Sequence, residues 1–387
     1  ASHEPFDICW TSDWMAKYVP NVNKGAFMCI DELLPKYAPK TKELIADKFW
    51  DLTKVNGKLY GIPCYQIFYR QTAIWIKKDI AEKYNFDPSI LTTDAACLTP
   101  FLEKIKEGEP DIIPLAANGP VIAWFGKSLA AYSSEYAENV ANSEAHVVVF
   151  ESDPTKVHGY DERVINDLMP GLRTAREWYT KGYVRNDLLS IKDIDQEIKT
   201  GKYAVGFSQY SPDMEVSFAD KFGFEIVAYP LAQPTLSGVT ATLMAISATS
   251  ENPERAMMLI ELLNTDKELY NLICNGIENM HYIKVGENRI KRVEDNGYQP
   301  NMNWAMGNTL LAYLTPGQPD NLAELVKSGN DAAIPPLLPG YTFDNSKVKN
   351  ELAAIAQVSA EIENPLKAGV LDPDEYLPKM LERFKAA

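Results

Sequence analysis

Short apolar runs alternate along the chain with longer stretches that have helical spacing. Residues 6–10 (FDICW), 224–234 (FEIVAYPLAQP) and 240–250 (TATLMAISATS) contain compact apolar runs typical of buried strands. Residues 59–76 (LYGIPCYQIFYRQTAIWI) are rich in aromatic and β-branched residues, as strands are, but this run is long for one strand. We predict that it passes through one lobe of the protein and continues into another.

Start and stop signals delimit the predicted helices. Residues 92–108 have Thr92 or Thr93 as a candidate N-cap and Gly108 at the end, and residues 161–184 form a helix with an expected kink at Pro170. A further helix begins at Pro253 after the candidate cap Asn252. Its apolar positions with helical spacing are Met257, Met258, Ile260, Leu262 and Leu263. The helix that follows is predicted to end at Gly276.

The C-terminal region is predicted to be helical, with helices in residues 345–369 and 372–387. Before them, the proline-rich residues 332–344 (AAIPPLLPGYTFD) are expected to form an ordered loop rather than an interdomain linker. Because strands and helices alternate along the whole chain, we assign it to the α/β class.

Length and charge narrow the class of protein further. A chain of 387 residues is too long for one ordinary core and favours two or three domains, or two lobes. The formal net charge of −15 argues against nucleic acid as a partner, because phosphate binding needs clustered Lys and Arg. No apolar run approaches the length needed to cross a bilayer.

Metal and cofactor chemistry has little support in the sequence. The five cysteines (Cys9, Cys29, Cys64, Cys97 and Cys274) contain no CxxC pair, and the chain has only four histidines. We therefore expect no metal site, no cofactor and no disulfide framework. The sequence also has no GxSxG elbow, no HExxH motif and no Walker A loop, so no catalytic residue is assigned.

The order of several segments resembles a known family. Residues 56–65 (NGKLYGIPCY), 201–213 (GKYAVGFSQYSPD) and 237–266 (SGVTATLMAISATSENPERAMMLIELLNTD) are similar to the extracellular solute-binding proteins of bacterial ABC importers. Residues 276–285, 303–313 and 364–387 resemble the family 1 branch that carries the C-terminal domain DUF3502 and includes LipO-like lipoproteins. The resemblance covers essentially the whole chain.

This resemblance implies a two-lobe, type II periplasmic-binding-protein-like fold with a ligand cleft between the lobes and a hinge of crossing strands. Lobe one would hold residues 1–68 and 229–279, and lobe two residues 69–228 and 280–387. It also implies that a strand–helix–strand unit, a signal peptide and a lipidated cysteine would precede the strand at Phe6. Contact with the membrane is expected only through such a lipid anchor.

The resemblance places the first ligand-facing loop of lobe one at Trp10, Ser12, Asp13 and Trp14. Aromatic rings can pack against the C–H faces of sugars, and Asp, Asn, Gln and Glu can pair with sugar hydroxyls. A hydroxyl left unpaired in a desolvated site would cost roughly 1–3 kcal/mol. The alternatives are that Trp10 belongs to the core and that Asp13 caps the following helix.

Further candidates follow from the same family pattern, each with a structural alternative. Tyr65 and Gln66 lie where the crossing strand leaves lobe one, although ordinary strand packing would also explain Tyr65. A histidine such as His281 is more often structural than a ligand contact, and Trp304 could be a cleft wall or a core anchor. The remaining candidates are Trp124, Tyr210, Glu278 and Asn279.

The sequence thus predicts a binding protein, not an enzyme. It would capture a small solute, most simply a carbohydrate or oligosaccharide, outside the cell or in the periplasm and deliver it to the permease subunits of an ABC transporter. One alternative keeps the fold but binds a peptide or amino-acid derivative, for which Arg70 is the candidate cation. Another is a secreted glycoside hydrolase that uses a pair of carboxylates such as Asp13 and Glu278.

Overall fold

The computed structural model describes residues 5–121, 135–141, 145–294, 297–298, 300–341, 343, 345 and 347–387. Strands and helices alternate through these ranges, which confirms the α/β class. The strands are β1 (Ile8–Thr11), β2 (Ile62–Pro63), β3 (Tyr69–Arg70), β4 (Thr72–Lys77), β5 (Ile113–Leu115), β6 (Ala137–Asn139), β7 (Val148–Phe150), β8 (Asp153–His158), β9 (Tyr203–Gln209), β10 (Ile226–Pro230), β11 (Thr235–Leu236), β12 (Leu243–Ile246), β13 (Tyr282–Gly286) and β14 (Arg289–Arg292).

The helices are of ordinary length, and a π-helical turn (Ser359–Glu363) joins two of them near the C-terminus. They are α1 (Tyr18–Asn23), α2 (Leu33–Tyr37), α3 (Pro39–Leu44), α4 (Asp47–Thr53), α5 (Lys78–Lys83), α6 (Thr99–Gly108), α7 (Glu162–Thr180), α8 (Ile194–Lys199), α9 (Met214–Phe222), α10 (Pro253–Thr265), α11 (Lys267–Asn275), α12 (Leu322–Ala332), α13 (Lys349–Val358), α14 (Asn364–Lys367) and α15 (Pro373–Ala386). Among the described residues, no helix has both the length and the apolar character needed to cross a bilayer.

The chain divides into two compact units. Unit 1 contains Ala1–Arg70, Thr235–Pro335 and Pro339–Thr342. Unit 2 contains Gln71–Pro234, Pro336–Leu338 and Phe343–Ala387. The chain therefore leaves unit 1 after Arg70, returns at Thr235 and leaves again after Pro335.

Unit 1 is built on a three-stranded antiparallel sheet in the order β1-β12-β2. All four residues of the central strand β12 are buried, which explains why residues 243–246 read as a continuous apolar run. Strand β1 pairs with β12 from Ile8 opposite Ile246 to Thr11 opposite Leu243. This register fixes the position of the polar and aromatic residues that follow β1.

Unit 2 is built on a four-stranded sheet in the order β10-β4-β9-β5, in which only β5 and β9 run parallel. Five of the six residues of β4 are buried. The fully buried Trp75 of β4 lies over Gly206 of β9, and a Cβ atom at position 206 would come within 2.3 Å of the Trp75 ring. Glycine at this position therefore allows a tryptophan to pack flat on the sheet.

A buried polar cluster in unit 2 lies at the π-helical turn. The Glu363 carboxylate accepts hydrogen bonds from the Tyr160 hydroxyl, the Ser359 hydroxyl and the Lys367 ammonium. The Tyr160 ring stacks on His146 with a centroid distance of 4.6 Å. These contacts join the C-terminal segment to the rest of unit 2, and the Lys367 carbonyl also accepts a hydrogen bond from Val121 N at 3.2 Å.

Acid is expected to destabilise unit 2 through this cluster. Burial, and then the positive charge of Lys367, lower the pKa of His146 to about 4, whereas an unfolded histidine titrates near 6.5. Since the unfolded chain binds the proton first, the stabilisation from neutral His146 is present above about pH 6.5 and is lost as the pH falls towards 4. Urea unfolding at a series of pH values should show this slope, and His146→Gln should flatten it. An unchanged slope in His146→Gln would contradict the assignment.

The predicted elements are largely confirmed, but several of their details are wrong. The N-cap before α6 is Asp94, not Thr92 or Thr93. The Asp94 side chain accepts a hydrogen bond from Ala96 N at the start of the 3₁₀ turn (Ala95–Leu98) that leads into α6. Asn252 makes no side-chain cap hydrogen bond at the start of α10. Of the apolar positions predicted for α10, Met257, Ile260 and Leu263 are buried, whereas Met258 and Leu262 are exposed.

The lobe boundaries expected from the sequence differ from the two units. Residues 280–335 pack in unit 1, not with the C-terminal segment, and residues 229–234 belong to unit 2. The buried Asn271 side chain explains the first difference, because its Nδ2 donates to Leu311 O and its Oδ1 accepts from Tyr313 N, both at 2.8 Å. The proline-rich residues 332–344 contain a passage between the units, which contradicts the prediction of a simple ordered loop.

Candidate functional site

The loop after β1 is shaped by Ser12. Its side chain is fully buried, and its Oγ accepts hydrogen bonds from Met15 N and Ala16 N, both at 3.1 Å. Ser12 O accepts from Tyr18 N at 2.8 Å, so the same residue also holds the start of α1. These contacts favour a structural role for Ser12 in the loop, and its predicted ligand contact stays a prediction.

Asp13 and Trp14 are held on the turn that precedes β12. Asp13 N donates to Thr240 O at 3.0 Å, and the Thr240 hydroxyl donates to Asp13 Oδ2 at 2.7 Å. The Trp14 indole Nε1 donates to Ala241 O at 2.9 Å, yet the residue is 53% exposed. Asp13 does not cap α1, so the capping alternative is wrong. A large apolar ring is thus presented to solvent with its orientation fixed at one end.

Three tryptophans meet at this position and form what we call the tryptophan cluster (Trp10, Trp14 and Trp304). The Trp10 ring lies between the other two, with centroid distances of 5.9 Å to Trp14 and 5.6 Å to Trp304, both in edge-to-face geometry. Trp10 Nε1 is buried and has no acceptor among the described residues. Trp304 is 43% exposed, so the cluster has two accessible rings supported by one inner ring.

Trp304 is held through its backbone and its indole nitrogen. Gln66 Nε2 donates to Trp304 O at 3.0 Å, and Trp304 Nε1 donates to Asn301 O at 2.9 Å. Unit 1 therefore brings together five residues that are distant in the sequence, although the sequence analysis placed Trp304 in lobe two: Trp10, Asp13, Trp14, Gln66 and Trp304. A ligand role for them stays a prediction.

Tyr65 differs from its neighbour Gln66. Its side chain is buried and packs edge-to-face on Phe68 with a centroid distance of 5.3 Å. Burial raises the pKa of Tyr65, and a hydrogen bond with the Asn330 side chain acts in the opposite direction. This environment favours the core alternative for Tyr65 over the predicted ligand contact.

Glu278, Asn279 and His281 form a turn that leads into β13. Glu278 makes an ion pair with Lys284 at 3.2 Å, and Asn279 has a left-handed backbone with φ of 64°. His281 Nδ1 accepts from Ile277 N at 2.8 Å, so a neutral ring carries its proton on Nε2. These contacts are typical of a structural turn and do not favour the predicted binding roles.

Unit 2 contains a cavity beside the loop predicted to bind ligand. Its volume is about 550 Å³, and its walls include Trp75, Phe207 and Gln209. Tyr210 follows directly after β9, is half-buried, and its backbone N donates to Gln71 O at 2.7 Å. Trp124, the other candidate from this unit, lies outside the described residues.

The sequence analysis missed two residues that support the tryptophan cluster. Thr240 orients Asp13, and its place at the end of a loop before an apolar strand could have suggested it. Asn330 bonds to the segment that carries Tyr65 and Gln66, but it lies inside helix α12, where no local pattern distinguishes it.

Comparison with known proteins supports the fold inferred from these elements. Residues 337–387 match the family model described as a domain of unknown function, DUF3502. Over its full length the chain is 27% identical to a carbohydrate ABC transporter substrate-binding protein from Streptococcus pneumoniae serotype 4 (strain ATCC BAA-334 / TIGR4), of which it covers 77%.

The solved structures agree with this result. The N-glycan transport solute binding protein NgtS from S. pneumoniae matches with a TM-score of 0.82 and 24% identity, covering all of this chain and 83% of NgtS. The chain has the fold of a solute-binding protein. The alginate-binding protein AlgQ2 shares this fold at a TM-score of 0.59 and 15% identity, over 98% of this chain and 83% of AlgQ2. The resemblance to solute-binding proteins and the DUF3502 branch is therefore confirmed, and these relatives are named as binding proteins rather than enzymes.

Proposed function

We propose that this solute-binding-fold protein captures an oligosaccharide and delivers it to the permease of an ABC importer without chemical change. The observation that carries the proposal is the tryptophan cluster, in which two rings remain exposed although hydrogen bonds hold them in place. Fixed flat apolar rings suit the C–H faces of sugars, because little side-chain entropy is lost when the ligand binds. Asp13, oriented by Thr240, supplies a carboxylate for sugar hydroxyls.

The relatives support the same ligand class. The curated relative is named as a carbohydrate transport protein, and NgtS has been solved in complex with Man1GlcNAc and Man5GlcNAc. We propose an extracellular or periplasmic location with a lipid anchor ahead of the described segment, in keeping with delivery to a membrane permease. The ligand roles of Tyr210 and Trp124 stay predictions.

The alternatives have less support. Glu278, the carboxylate nominated to act with Asp13 in glycoside hydrolysis, forms an ion pair with Lys284. Arg70, the cation nominated for a peptide ligand, is an exposed residue of β3 with no ring contact to the tryptophan cluster among the described residues. A neutral oligosaccharide fits the exposed rings better than either alternative.

A combined binding and turnover assay tests the proposal. The protein is incubated with Man1GlcNAc, Man5GlcNAc and a panel of short peptides, and both the shift in melting temperature and the released products are measured. We expect a glycan to raise the melting temperature while the sugar remains intact. Hydrolysis of a glycan that is abolished by Asp13→Asn would replace the proposal with an enzyme, and stabilisation by peptides alone would replace it with a peptide-binding protein.

A further inference from the structure

The buried side chain of Asn330 forms hydrogen bonds with the backbone of residues 66–68, as a neighbouring strand would. It lies near the end of α12 and is fully buried. Its Nδ2 donates to Gln66 O at 2.8 Å, and its Oδ1 accepts from Phe68 N at 2.7 Å. A carbonyl and an amide two residues apart on an extended chain are the groups that a neighbouring strand would pair. One amide side chain thus satisfies both.

The close approach of α12 to this segment depends on the residue before Asn330. A Cβ atom on Gly329 would lie 2.3 Å from the buried Tyr69 ring. Only glycine lets the helix come near enough for the amide of Asn330 to reach both backbone groups. The two adjacent residues therefore act together: Gly329 allows α12 to approach Tyr69 closely, and Asn330 makes the hydrogen bonds to the backbone.

The segment that Asn330 binds, residues 66–68, also contains Gln66, which holds Trp304 of the tryptophan cluster. Gln66 contributes its backbone carbonyl to Asn330 and its side chain to Trp304 O. Next to it, Tyr65 O accepts from Thr309 N at 2.8 Å. Hydrogen bonds therefore link the segment around Trp304 to residues 65–66, and a further hydrogen bond links Gln66 to Asn330 of α12.

Two of the places where the chain leaves unit 1 adjoin the same contact. Phe68 leads into β3, which pairs with β11, and the chain leaves unit 1 after Arg70. Helix α12 leads to Ile334, whose carbonyl accepts from Leu236 N at 2.7 Å before the chain leaves again after Pro335. Asn330 therefore joins these two exit segments on the side of unit 1.

We propose that Asn330 is a positioning residue that sets the place of Trp304, through Gln66, relative to the segments by which the chain leaves unit 1. The consequence for binding rests on the proposed function, because it requires Trp304 to contact the ligand. The position of Trp304 itself does not rest on it. The two claims can therefore be tested separately.

The test replaces the amide by a carboxyl of the same size. In Asn330→Asp an ionised side chain places an oxygen against Gln66 O, so two acceptors face each other, whereas a protonated one can donate as the amide does. Because burial disfavours the charged form, the variant should be native-like in acid and perturbed in alkali. Fluorotryptophan is incorporated, and ¹⁹F NMR spectra are recorded without ligand from about pH 5 to about pH 8.

The Trp304 resonance, assigned with Trp304→Phe, should shift in Asn330→Asp at the alkaline end and return to the wild-type position in acid. Asn139→Asp is the matched control, because the Asn139 side chain also joins a backbone carbonyl (Ala145 O) to a backbone amide (Ala141 N), but it does so in unit 2. Its Trp304 resonance should show no such pH profile. A Trp304 resonance that stays at the wild-type position in Asn330→Asp throughout this range would overturn the positioning role.

Affinity for Man1GlcNAc is then measured on the same samples. We expect Asn330→Asp to bind roughly tenfold more weakly in alkali and to recover in acid, which corresponds to about 1.4 kcal/mol. A shifted resonance with unchanged affinity would support the position and remove Trp304 from the ligand contacts. Absence of glycan binding in the wild type would count against the proposed function and leave the spectroscopic result intact.

Discussion

Trp14→Ala is expected to weaken binding of Man1GlcNAc by roughly 30-fold or more, a loss of about 2 kcal/mol. The Trp14 ring is exposed but fixed by its bond to Ala241 O and by its contact with Trp10, so it offers a preformed apolar face. Truncation removes that face and leaves Ala241 O to solvent. Titration calorimetry on wild type and variant gives the two dissociation constants directly.

Phe6→Ala is the matched control for this prediction. Phe6 is as exposed as Trp14 (51% against 53%), but it precedes β1, whereas Trp14 follows it. Its removal should leave the affinity unchanged, while Trp14→Phe should keep part of the binding because a ring remains. If Trp14→Ala and Phe6→Ala bind the glycan equally well, the tryptophan cluster is not the sugar site.

Lys367→Met is expected to destabilise the protein by about 3 to 5 kcal/mol, because it leaves the Glu363 carboxylate buried without its cation. Both side chains are about nine-tenths buried, with 11% and 9% of their surfaces exposed. Three hydrogen bonds converge on Glu363, and these charges and donors lower its pKa to about 2 despite the opposing effect of burial. Urea unfolding followed by circular dichroism measures the loss.

The chain contains a matched ion pair for comparison. Glu375 and Lys379 have the same spacing on a helix as Glu363 and Lys367, but both are exposed. Lys379→Met should therefore change the stability by no more than about 0.5 kcal/mol. Replacing both buried partners, as in Glu363→Gln with Lys367→Met, should recover much of the loss. Equal effects of Lys367→Met and Lys379→Met on the free energy of unfolding would show that the buried pair contributes no more to stability than the exposed pair.

Part of the candidate site could be predicted from a local signal in the sequence. Trp14 and Asp13 follow an apolar run at once, so the end of a strand and a ligand-facing loop could be expected there. The sequence could not show that the Ser12 side chain is buried, because a hydroxyl that holds a turn and a hydroxyl that meets a ligand have the same place in the sequence. It also failed to separate Tyr65, which is core, from Gln66, which supports Trp304.

The sequence by itself determined the α/β class, most strands and helices and the resemblance to solute-binding proteins, because apolar periodicity and turn residues are local properties of the chain. Only the tertiary structure decided that residues 280–335 pack in unit 1 and that Trp304 joins Trp10 and Trp14. Gln66 and Trp304 are 238 positions apart, and Asn330 and Gln66 are 264 apart. Such contacts join residues that only the folded chain brings together, and a local pattern such as periodicity does not encode them.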